Sequence, residues 1–306
     1  MKLLITGANG QIGWQLQRTL APLGEVLALT RAEMDLSDAD ASAALVRKIQ
    51  PDILLNAAAY TAVDKAETEP DLANTVNAIT PGRIAQELAQ TGALLVHYST
   101  DYVFDGTKRE PYTEEDAPNP LNVYGQSKLA GERAVAESGC KHVILRTSWI
   151  YDIRGRNFLR TVLRLGREKH ELRMIDDQHG APTWARAVAE ATAAIVTQLL
   201  RPSLGQEVAR SGIYHLSAAG STTWAGFAKT ILAYYEELLA WPAEFGEFSG
   251  PLLAKTVVPI PSSAFKAAAR RPLNSELCTA KIARDFGVIL PDWQHLLRLA
   301  MLETVR

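Results

Sequence analysis

Short apolar segments of strand length recur through the first half of the chain. They are almost continuously hydrophobic rather than alternating, which is typical of parallel strands covered on both faces. These segments are residues 3–6, 26–29, 53–56, 94–99 and 143–147. Between them apolar residues recur at helical spacing: one predicted helix carries Ile12, Leu16 and Leu20 and ends before Pro22, and another begins at Ser37. Strands that alternate with helices predict a doubly wound α/β fold of the Rossmann type, with a parallel sheet.

The second half of the chain is less regular. We predict helices over 185–200 and 223–239, strands over 173–176 and 214–217, and loops with short elements over 242–272. Because 306 residues exceed the usual size of one domain, we expect a smaller C-terminal α+β substrate domain. The dinucleotide-binding domain is predicted to take residues 1–152 and about 185–210, and the substrate domain about 153–184 and 211–306.

Charge and composition exclude several classes of protein. The chain has 32 Lys and Arg against 34 Asp and Glu, so its net charge of −2 gives no electrostatic reason to expect nucleic acid or an anionic membrane as partner. Its two cysteines, Cys140 and Cys278, lie far apart and outside any metal-ligand spacing. The three apolar residues before Thr6 are too few for a signal peptide, and no later segment reaches the length of a bilayer span. We therefore expect a soluble, cytoplasmic protein.

Three glycines follow the first predicted strand directly and begin the first helix. Gly7, Gly10 and Gly13 stand where a backbone must turn tightly, where a diphosphate comes close, and where helix and strand touch. The amides at the helix start would face the diphosphate of a dinucleotide. A glycine-rich turn can also simply connect two elements. The strand before it and the helix after it favour nucleotide binding, and the spacing is typical of short-chain dehydrogenases/reductases.

The end of the second predicted strand bears on the choice of cofactor. It reads Leu29-Thr30-Arg31, without the acidic residue that accepts from the ribose 2′-hydroxyl of NAD and repels a 2′-phosphate. Thr30 cannot repel this phosphate, and the Arg31 guanidinium offers it a bidentate partner. NADPH is therefore favoured, while use of NADH as well stays open. Arg31 can equally be a solvated surface residue.

A tyrosine and a lysine four residues apart supply candidate chemistry. Tyr124 and Lys128 follow Asn122, which can cap a helix running to Gly139, so both side chains lie on one helical face. A tyrosine can protonate the alkoxide that hydride transfer to a ketone leaves, if a neighbouring ammonium lowers its pKa from about 10. Most pairs with this spacing lie on protein surfaces.

Thr100 adds a third group to this pair. It closes the fourth predicted strand, and a doubly wound sheet places its ligands at the ends of its strands. Its hydroxyl can donate to a substrate carbonyl and orient it beside Tyr124. The alternative is that Thr100 only caps the strand end. The three residues together favour reduction of a ketone.

Longer segments around these residues carry more specific signals. They are residues 6–13, 56–67, 98–106, 122–132, 145–151, 177–183 and 271–275. Together they resemble the dTDP-4-dehydrorhamnose reductase family of extended short-chain dehydrogenases/reductases over almost the whole chain. The resemblance implies NAD(P)H-dependent reduction of the 4-keto group of dTDP-4-dehydro-β-L-rhamnose to dTDP-L-rhamnose, the last step of dTDP-rhamnose biosynthesis. A dTDP-linked deoxysugar is then the expected substrate.

The resemblance also assigns roles by position. Cofactor contacts fall on Gly10, Gln11 and Ile12 at the diphosphate, Asp35 and Leu36 beside the adenine, and Ala57, Ala58 and Ala59 below the nicotinamide half. Thr100, Tyr124 and Lys128 take the catalytic places. Substrate contacts fall on Val63, Thr100, Asp101, Trp149 and Asn157. Trp149 would form an apolar wall for the sugar's 6-methyl group, although it can also be a core residue, and the three alanines can equally serve packing.

One departure from the family's pattern concerns magnesium. Some members bridge a dimer through Mg²⁺ held by carboxylates, but the matching positions here are Gln15, Arg186 and Gln294. Mg²⁺ prefers charged oxygen ligands, and the Arg186 cation would oppose it. We therefore expect no Mg²⁺ at that face, and either a monomer or a metal-independent homodimer.

Two other functions stay open at this point. The chain can be another extended short-chain reductase or an epimerase acting on nucleotide sugars, which usually retains a tightly bound NAD⁺. It can also be a non-catalytic NADP-binding regulatory subunit. A binding module need not keep Thr100, Tyr124 and Lys128 together.

Overall fold

The computed structural model describes residues 1–200, 211–239 and 250–304. In this part of the chain the strands are β1 (Lys2–Thr6), β2 (Glu25–Leu29), β3 (Ile53–Asn56), β4 (Leu94–Thr100), β5 (Lys141–Thr147), β6 (Ile150–Tyr151), β7 (Glu171–Ile175), β8 (His179–Gly180), β9 (Thr183–Trp184), β10 (Gly212–His215), β11 (Thr222–Thr223) and β12 (Thr256–Ile260). The helices are α1 (Gln11–Thr19), α2 (Ala39–Ile49), α3 (Val63–Ala66), α4 (Pro70–Asn74), α5 (Thr80–Thr91), α6 (Val123–Glu137), α7 (Phe158–Glu168), α8 (Ala185–Leu200), α9 (Trp224–Leu239), α10 (Ala280–Phe286) and α11 (Trp293–Leu302).

A parallel six-stranded sheet, in the order β10-β5-β4-β3-β1-β2, organises the first half of the chain. Every neighbouring pair in it is parallel, so all six strands end at the same edge. Its strands are buried because helices cover both faces, which explains their continuous hydrophobicity. The predicted doubly wound α/β fold is confirmed. The strands predicted over 173–176 and 214–217 correspond to β7 and β10, each displaced by one or two residues.

The strand β10 bears on the predicted division into domains. It pairs with β5 at the edge of the large sheet, and α10 packs against it, although the predicted boundary assigns both to the substrate domain. A strand that hydrogen-bonds along β5 and buries Tyr214 in the core of the sheet belongs physically with that sheet. The predicted boundary near residue 210 lies outside the described residues, and the division itself stays a prediction.

A second hydrophobic core lies apart from the sheet. It is formed by α7, α9 and α11 together with β7 and β12, which pair with each other in parallel. Trp184, at the end of β9, is buried in this core and not at the surface. The loops predicted over 242–272 hold β12 and one 3₁₀ turn in the part that is described, while residues 242–249 lie outside it. Within the described ranges, no helix is long and apolar enough to cross a bilayer.

The helix starts follow from local capping. The predicted start of α2 at Ser37 is wrong, because the Asp38 carboxylate accepts from the Ala41 amide at 2.9 Å and the helix begins at Ala39. The predicted cap of α6 is confirmed: the Asn122 side chain accepts from the Gly125 amide at 2.8 Å. This cap fixes the first turn of α6, where Tyr124 lies.

A glycine in α6 allows this helix to lie close to its neighbour. Between α4 and α5 the chain makes a π-helical turn over Thr75–Ile79, and α6 packs against it. A Cβ atom on Gly131 would stand 2.0 Å from the Asn77 carbonyl oxygen, a backbone atom that no side-chain rotation can move. The Asn77 side chain in turn donates to the Ser127 hydroxyl at 3.0 Å. Gly131 therefore sets how closely α6 approaches this π-helical turn.

We expect Gly131→Ala to lower the free energy of unfolding by about 1–3 kcal/mol, because the new methyl group forces α6 away from the π-helical turn. Urea denaturation of the purified protein measures this. The matched control is Gly166→Ala in α7, where a Cβ would meet only the movable ends of Leu252 and Leu232 at 3.1 and 3.2 Å. The control should stay within about 1 kcal/mol of the parent, and an equally stable Gly131→Ala would contradict the packing argument.

Candidate active site

The glycine-rich turn between β1 and α1 has the shape that a diphosphate requires. Gly7 adopts a φ of +70°, and a Cβ on it would stand 2.9 Å from the Ala58 backbone. A Cβ on Gly13 would stand 2.1 Å from the Gly7 carbonyl oxygen. Gly10 is the N-cap of α1, and no side chain caps the helix there. The first amides of α1 are thus left open towards a ligand, which fits a dinucleotide diphosphate.

The end of β2 carries an acidic side chain that the sequence analysis missed. Glu33 accepts from both the amide and the hydroxyl of Thr30, each at 2.8 Å. These hydrogen bonds hold the pKa of the Glu33 carboxyl below its usual value. Arg31 is exposed and pairs with Asp35 at 3.3 Å. A carboxylate therefore lies at the position where Thr30 led us to expect none, and the Arg31 guanidinium already has an anionic partner.

The remaining predicted cofactor residues line the same edge of the sheet. Ala57, Ala58 and Ala59 directly follow β3 and are partly exposed. Leu36 is buried, and its carbonyl accepts from the Thr80 hydroxyl at 2.7 Å. Val63 begins α3 and is partly exposed. Because β1, β2 and β3 end side by side, their following segments form one continuous margin.

The predicted catalytic residues Thr100 and Tyr124 are brought together. The Thr100 hydroxyl, which donates to Asp101 at 3.0 Å, lies near the Tyr124 phenol at the end of β4. Burial raises the pKa of Tyr124 to about 12, the nearby Thr100 hydroxyl partly opposes this rise, and the Asp101 charge adds to it. The expectation that the pKa of Tyr124 falls towards neutrality is therefore wrong for this structure. Such a phenol is a proton donor at neutral pH and not a base.

Lys128 lies one turn further along α6 and is buried. Its Nζ donates to the Tyr98 carbonyl oxygen on β4 at 2.5 Å. Burial lowers the pKa of Lys128 to about 8, and the attraction of Glu132 opposes this. Its ammonium group is thus anchored to the backbone of β4, and Lys128 is not among the groups that shift the pKa of the Tyr124 phenol.

Asp101 lies beside this group with only 2% of its surface exposed. Its Oδ1 accepts from the Thr100 hydroxyl at 3.0 Å, and its Oδ2 is buried without a hydrogen-bond partner. Burial raises the pKa of Asp101 to about 7, although the hydroxyls of Ser275 and Thr100 lower it. Near neutral pH this carboxyl is divided between its two protonation states, so it can either donate or accept a hydrogen bond.

Trp149 follows β5 in a strained and tightly enclosed conformation. Its backbone φ is +46°, a value that residues other than glycine rarely adopt. A Cβ on Gly180 would stand 2.6 Å from the Trp149 ring, and the Trp224 ring stacks on Trp149 with centroids 3.6 Å apart and planes at 4°. Trp224 also donates to Gln178 at 3.2 Å. Trp149, predicted to form an apolar wall for the sugar, is thus stacked on Trp224, which the sequence analysis missed.

Asn157 joins the glycine-rich turn to the second core. Its Oδ1 caps α7 by accepting from the Arg160 amide at 3.1 Å, and its Nδ2 donates to the Gln11 side chain at 2.9 Å and to the Asp152 carbonyl at 2.6 Å. Both of its polar atoms are thus engaged within the protein. The structure places this predicted substrate residue between the first turn of α1 and the start of α7.

The three positions considered for magnesium do not fit a metal centre. Gln15 donates to Asp152 at 2.8 Å, and Gln294 is exposed on α11. Arg186 donates to the carboxylates of Glu190 and Glu303. The carboxylates of Glu190 and Glu303 on this face are thus already paired with the Arg186 guanidinium. In the described part of the chain, no group of three His, Cys, Asp or Glu residues could hold a metal ion.

The candidate site residues thus lie along the carboxyl ends of the parallel strands. Comparison with known proteins identifies the family of the chain. A family model described as RmlD substrate binding domain matches residues 1–306. The dTDP-4-dehydrorhamnose reductase of Burkholderia thailandensis is 48% identical over 302 residues, which cover 98% of each chain. The chain belongs to the dTDP-4-dehydrorhamnose reductase family.

Two further members of the dTDP-4-dehydrorhamnose reductase family are similar over nearly their whole length. The Escherichia coli K12 protein of that name is 45% identical over 299 residues, which cover 96% of this chain and 95% of its own. The crystal structure of the Bacillus anthracis dTDP-4-dehydrorhamnose reductase in complex with NADP has a TM-score of 0.85 at 36% identity and covers 99% of both chains. The resemblance inferred from the sequence is confirmed.

The stacked tryptophans make a spectroscopic prediction. Two indoles with centroids 3.6 Å apart are close enough for their excited states to couple, and when their in-plane axes are rotated against each other this coupling gives a paired positive and negative band in the circular dichroism spectrum. We expect Trp224→Leu to abolish this pair of bands, and Trp149→Leu to do the same. Trp14→Leu is the control, because Trp14 lies on α1 between the Arg18 and Arg154 guanidinium groups and not against an indole. A parent spectrum without a couplet, or a couplet that survives both substitutions and so arises elsewhere, would contradict the prediction.

Proposed function

We propose that this chain reduces the 4-keto group of dTDP-4-dehydro-β-L-rhamnose to give dTDP-L-rhamnose, with NADPH as the hydride donor. The names of its relatives support the substrate. The observation that carries the chemistry is that Thr100, at the end of β4, and Tyr124 lie close together and are both buried, with Lys128 one turn along the same helix as Tyr124. Gly7, Gly10 and Gly13 support binding of a dinucleotide, because a Cβ atom on any of them would approach backbone atoms to 3.1 Å or less and the tight turn needs glycine at each position.

In this proposal, each catalytic residue has a separate task. The bound dinucleotide supplies a hydride to the keto carbon. The phenol of Tyr124 gives its proton to the oxygen that becomes negatively charged, and its high pKa keeps that proton available at neutral pH. The Thr100 hydroxyl orients this oxygen beside the phenol. Lys128 donates one hydrogen bond to β4, and its remaining N–H groups can donate hydrogen bonds to the cofactor ribose.

The substrate side is proposed to lie between Asp101 and the tryptophan pair. Asp101 and Thr100 face the reacting part of the sugar, and the Trp149–Trp224 pair limits the space beyond β5. Val63 borders the opening from α3. Because the polar atoms of Asn157 are engaged, we assign it to orienting Gln11 and α7, and not to direct contact with the sugar. Trp224 is added as a residue that shapes this side.

The alternatives differ in how the protein treats its cofactor. A nucleotide-sugar epimerase retains NAD⁺, and the Glu33 carboxylate beside Thr30 is the observation that favours NAD(H). A regulatory subunit would bind the dinucleotide without turnover. Analysis of the purified protein for bound dinucleotide, followed by turnover assays, separates all three. Because Arg186 is paired within the chain, we further propose a monomer or a metal-independent homodimer.

Oxidation of NADPH with dTDP-4-dehydrorhamnose generated in situ tests the activity directly. We expect Tyr124→Phe to lower kcat by roughly 10²–10⁴, because the substrate oxygen loses its proton donor. Binding of NADPH, measured by fluorescence titration, should survive. Tyr234→Phe on α9 is the matched control and should leave kcat unchanged. Unaltered turnover in Tyr124→Phe, or turnover only with the corresponding UDP- or GDP-keto sugars, would refute the assignment.

The Glu33 carboxylate should weaken the preference for NADPH, since it repels a 2′-phosphate at the end of β2. We expect Glu33→Gln to raise the ratio of kcat/KM for NADPH to kcat/KM for NADH several-fold. Arg31→Ala should lower the same ratio. Glu25→Gln, an exposed position at the other end of β2, serves as the control for a lost charge. If the ratio does not change in Glu33→Gln, this carboxylate does not take part in cofactor choice.

A further inference from the structure

Helix α6 carries three ionisable side chains four residues apart: Tyr124, Lys128 and Glu132. This spacing places them one above another on a single helical face. Lys128 is 2% exposed and Glu132 only 1%. The face is directed at the sheet, because Lys128 contacts β4 and Glu132 contacts Arg146 on β5. Glu132 thus extends the catalytic face by one turn into the protein, and the proposed mechanism does not use it.

The Glu132 carboxylate is held by a bidentate ion pair. Arg146 donates from Nε to Oε1 at 2.9 Å and from a terminal nitrogen to Oε2 at 2.7 Å. Arg146 is itself 1% exposed, and its guanidinium lies 5.1 Å from the centre of the Phe104 ring. A pair buried in this way is seldom more stable than apolar residues of the same shape, because both charges lose their hydration. Stability alone therefore does not explain why these two charges lie behind Lys128.

The other ionisable groups near Lys128 are neutral at pH 7 or, in the case of Asp101, do not contribute to the shift of the Lys128 pKa. On β4, burial lowers the pKa of His97 and raises that of Tyr98, so both are neutral. On β10, burial and the neighbouring Arg146 lower the pKa of His215 to about 3, so it is neutral as well. Asp101, beyond the Tyr124 phenol, has a pKa raised by burial to about 7.

Two fixed charges therefore act on Lys128 from the interior. The Glu132 carboxylate attracts its ammonium group from the same helix, and the Arg146 guanidinium, on β5, binds that same carboxylate. Burial alone drives a lysine towards its neutral form, whereas an adjacent buried carboxylate favours the charged form. The field that Lys128 feels thus depends on how much of the Glu132 charge Arg146 neutralises.

We propose that Glu132 is a positioning residue that keeps Lys128 in its ammonium form, and that Arg146 sets the strength of this effect. The relevance to turnover rests on the proposed function, in which Lys128 donates hydrogen bonds to the cofactor ribose. A neutral amine there would lose a charge and a donor. Lys128 should accordingly be charged below its pKa of about 8 and should lose the charge as the pH rises through that value.

The titration of Lys128 in the cofactor-free protein tests the proposal without relying on turnover. Lysine labelled with ¹³C at Cε reports the charge of each amine by NMR, and the Lys128→Met spectrum identifies the signal. We expect Glu132→Gln to lower the midpoint of Lys128 by about one pH unit or more, because an attracting charge is removed. We expect Arg146→Gln to raise the midpoint, because Glu132 is then less neutralised. Glu137→Gln, an exposed position on the same helix, should not move it.

Opposite shifts in the two variants support the proposal, since a purely structural ion pair predicts no such pattern. An unchanged midpoint in folded Glu132→Gln would overturn it. If Glu132→Gln does not fold, Arg146→Gln decides: a higher midpoint supports the proposal, and an unchanged or lower one overturns it. These outcomes do not depend on substrate, so a failed reductase assay would refute the proposed function and leave this inference to its own measurement.

Discussion

Parallel pairing of the six strands is the constraint on which the rest of the structure depends. Since every neighbouring pair runs in the same direction, the carboxyl end of each strand meets the others at one edge. The pairing of Thr6 with Asn56, and of Thr100 with Thr147, brings together segments that are far apart along the chain. This arrangement places the glycine-rich turn, the alanines after β3, Thr100 and Trp149 along the same edge of the sheet.

Low polarity behind that edge explains the protonation states of the site. Burial raises the pKa of Tyr124 and lowers that of Lys128, because in both cases the charged form loses hydration. The first shift suits a reductase, since the phenol keeps its proton, whereas the second works against the ammonium form that the proposed role of Lys128 requires. A buried carboxylate is then an effective means of holding the amine charged, because its field is weakly screened in the interior.

The sequence predicts the sheet well because continuous hydrophobic segments have few alternatives to buried parallel strands. It places Thr100 at the end of a strand and Tyr124 with Lys128 on one helical face because these positions are defined by local spacing, while their catalytic roles stay a prediction. It does not predict Glu33 at Thr30, since the hydrogen bonds arise from the turn after β2. Nor does it predict the Trp149–Trp224 pair, whose members lie far apart in sequence with no periodic relation. The Tyr124 pKa was misjudged because burial depends on the whole fold.

The glycine-rich turn and the second hydrophobic core are linked by hydrogen bonds and not only by proximity. Gln11, in the first turn of α1, accepts from Asn157, and Gln15 on the same helix donates to the buried Asp152. Asn157 also caps α7, which belongs to the second core with Phe158 against Trp224. A change in the position of Gln11 must therefore alter the cap of α7 or break a hydrogen bond. Because α7 packs beside the tryptophan pair, Gln11 and the tryptophan pair are connected through Asn157 and α7. The effects of substitutions at Gln11 and in the tryptophan pair on stability should therefore not be additive.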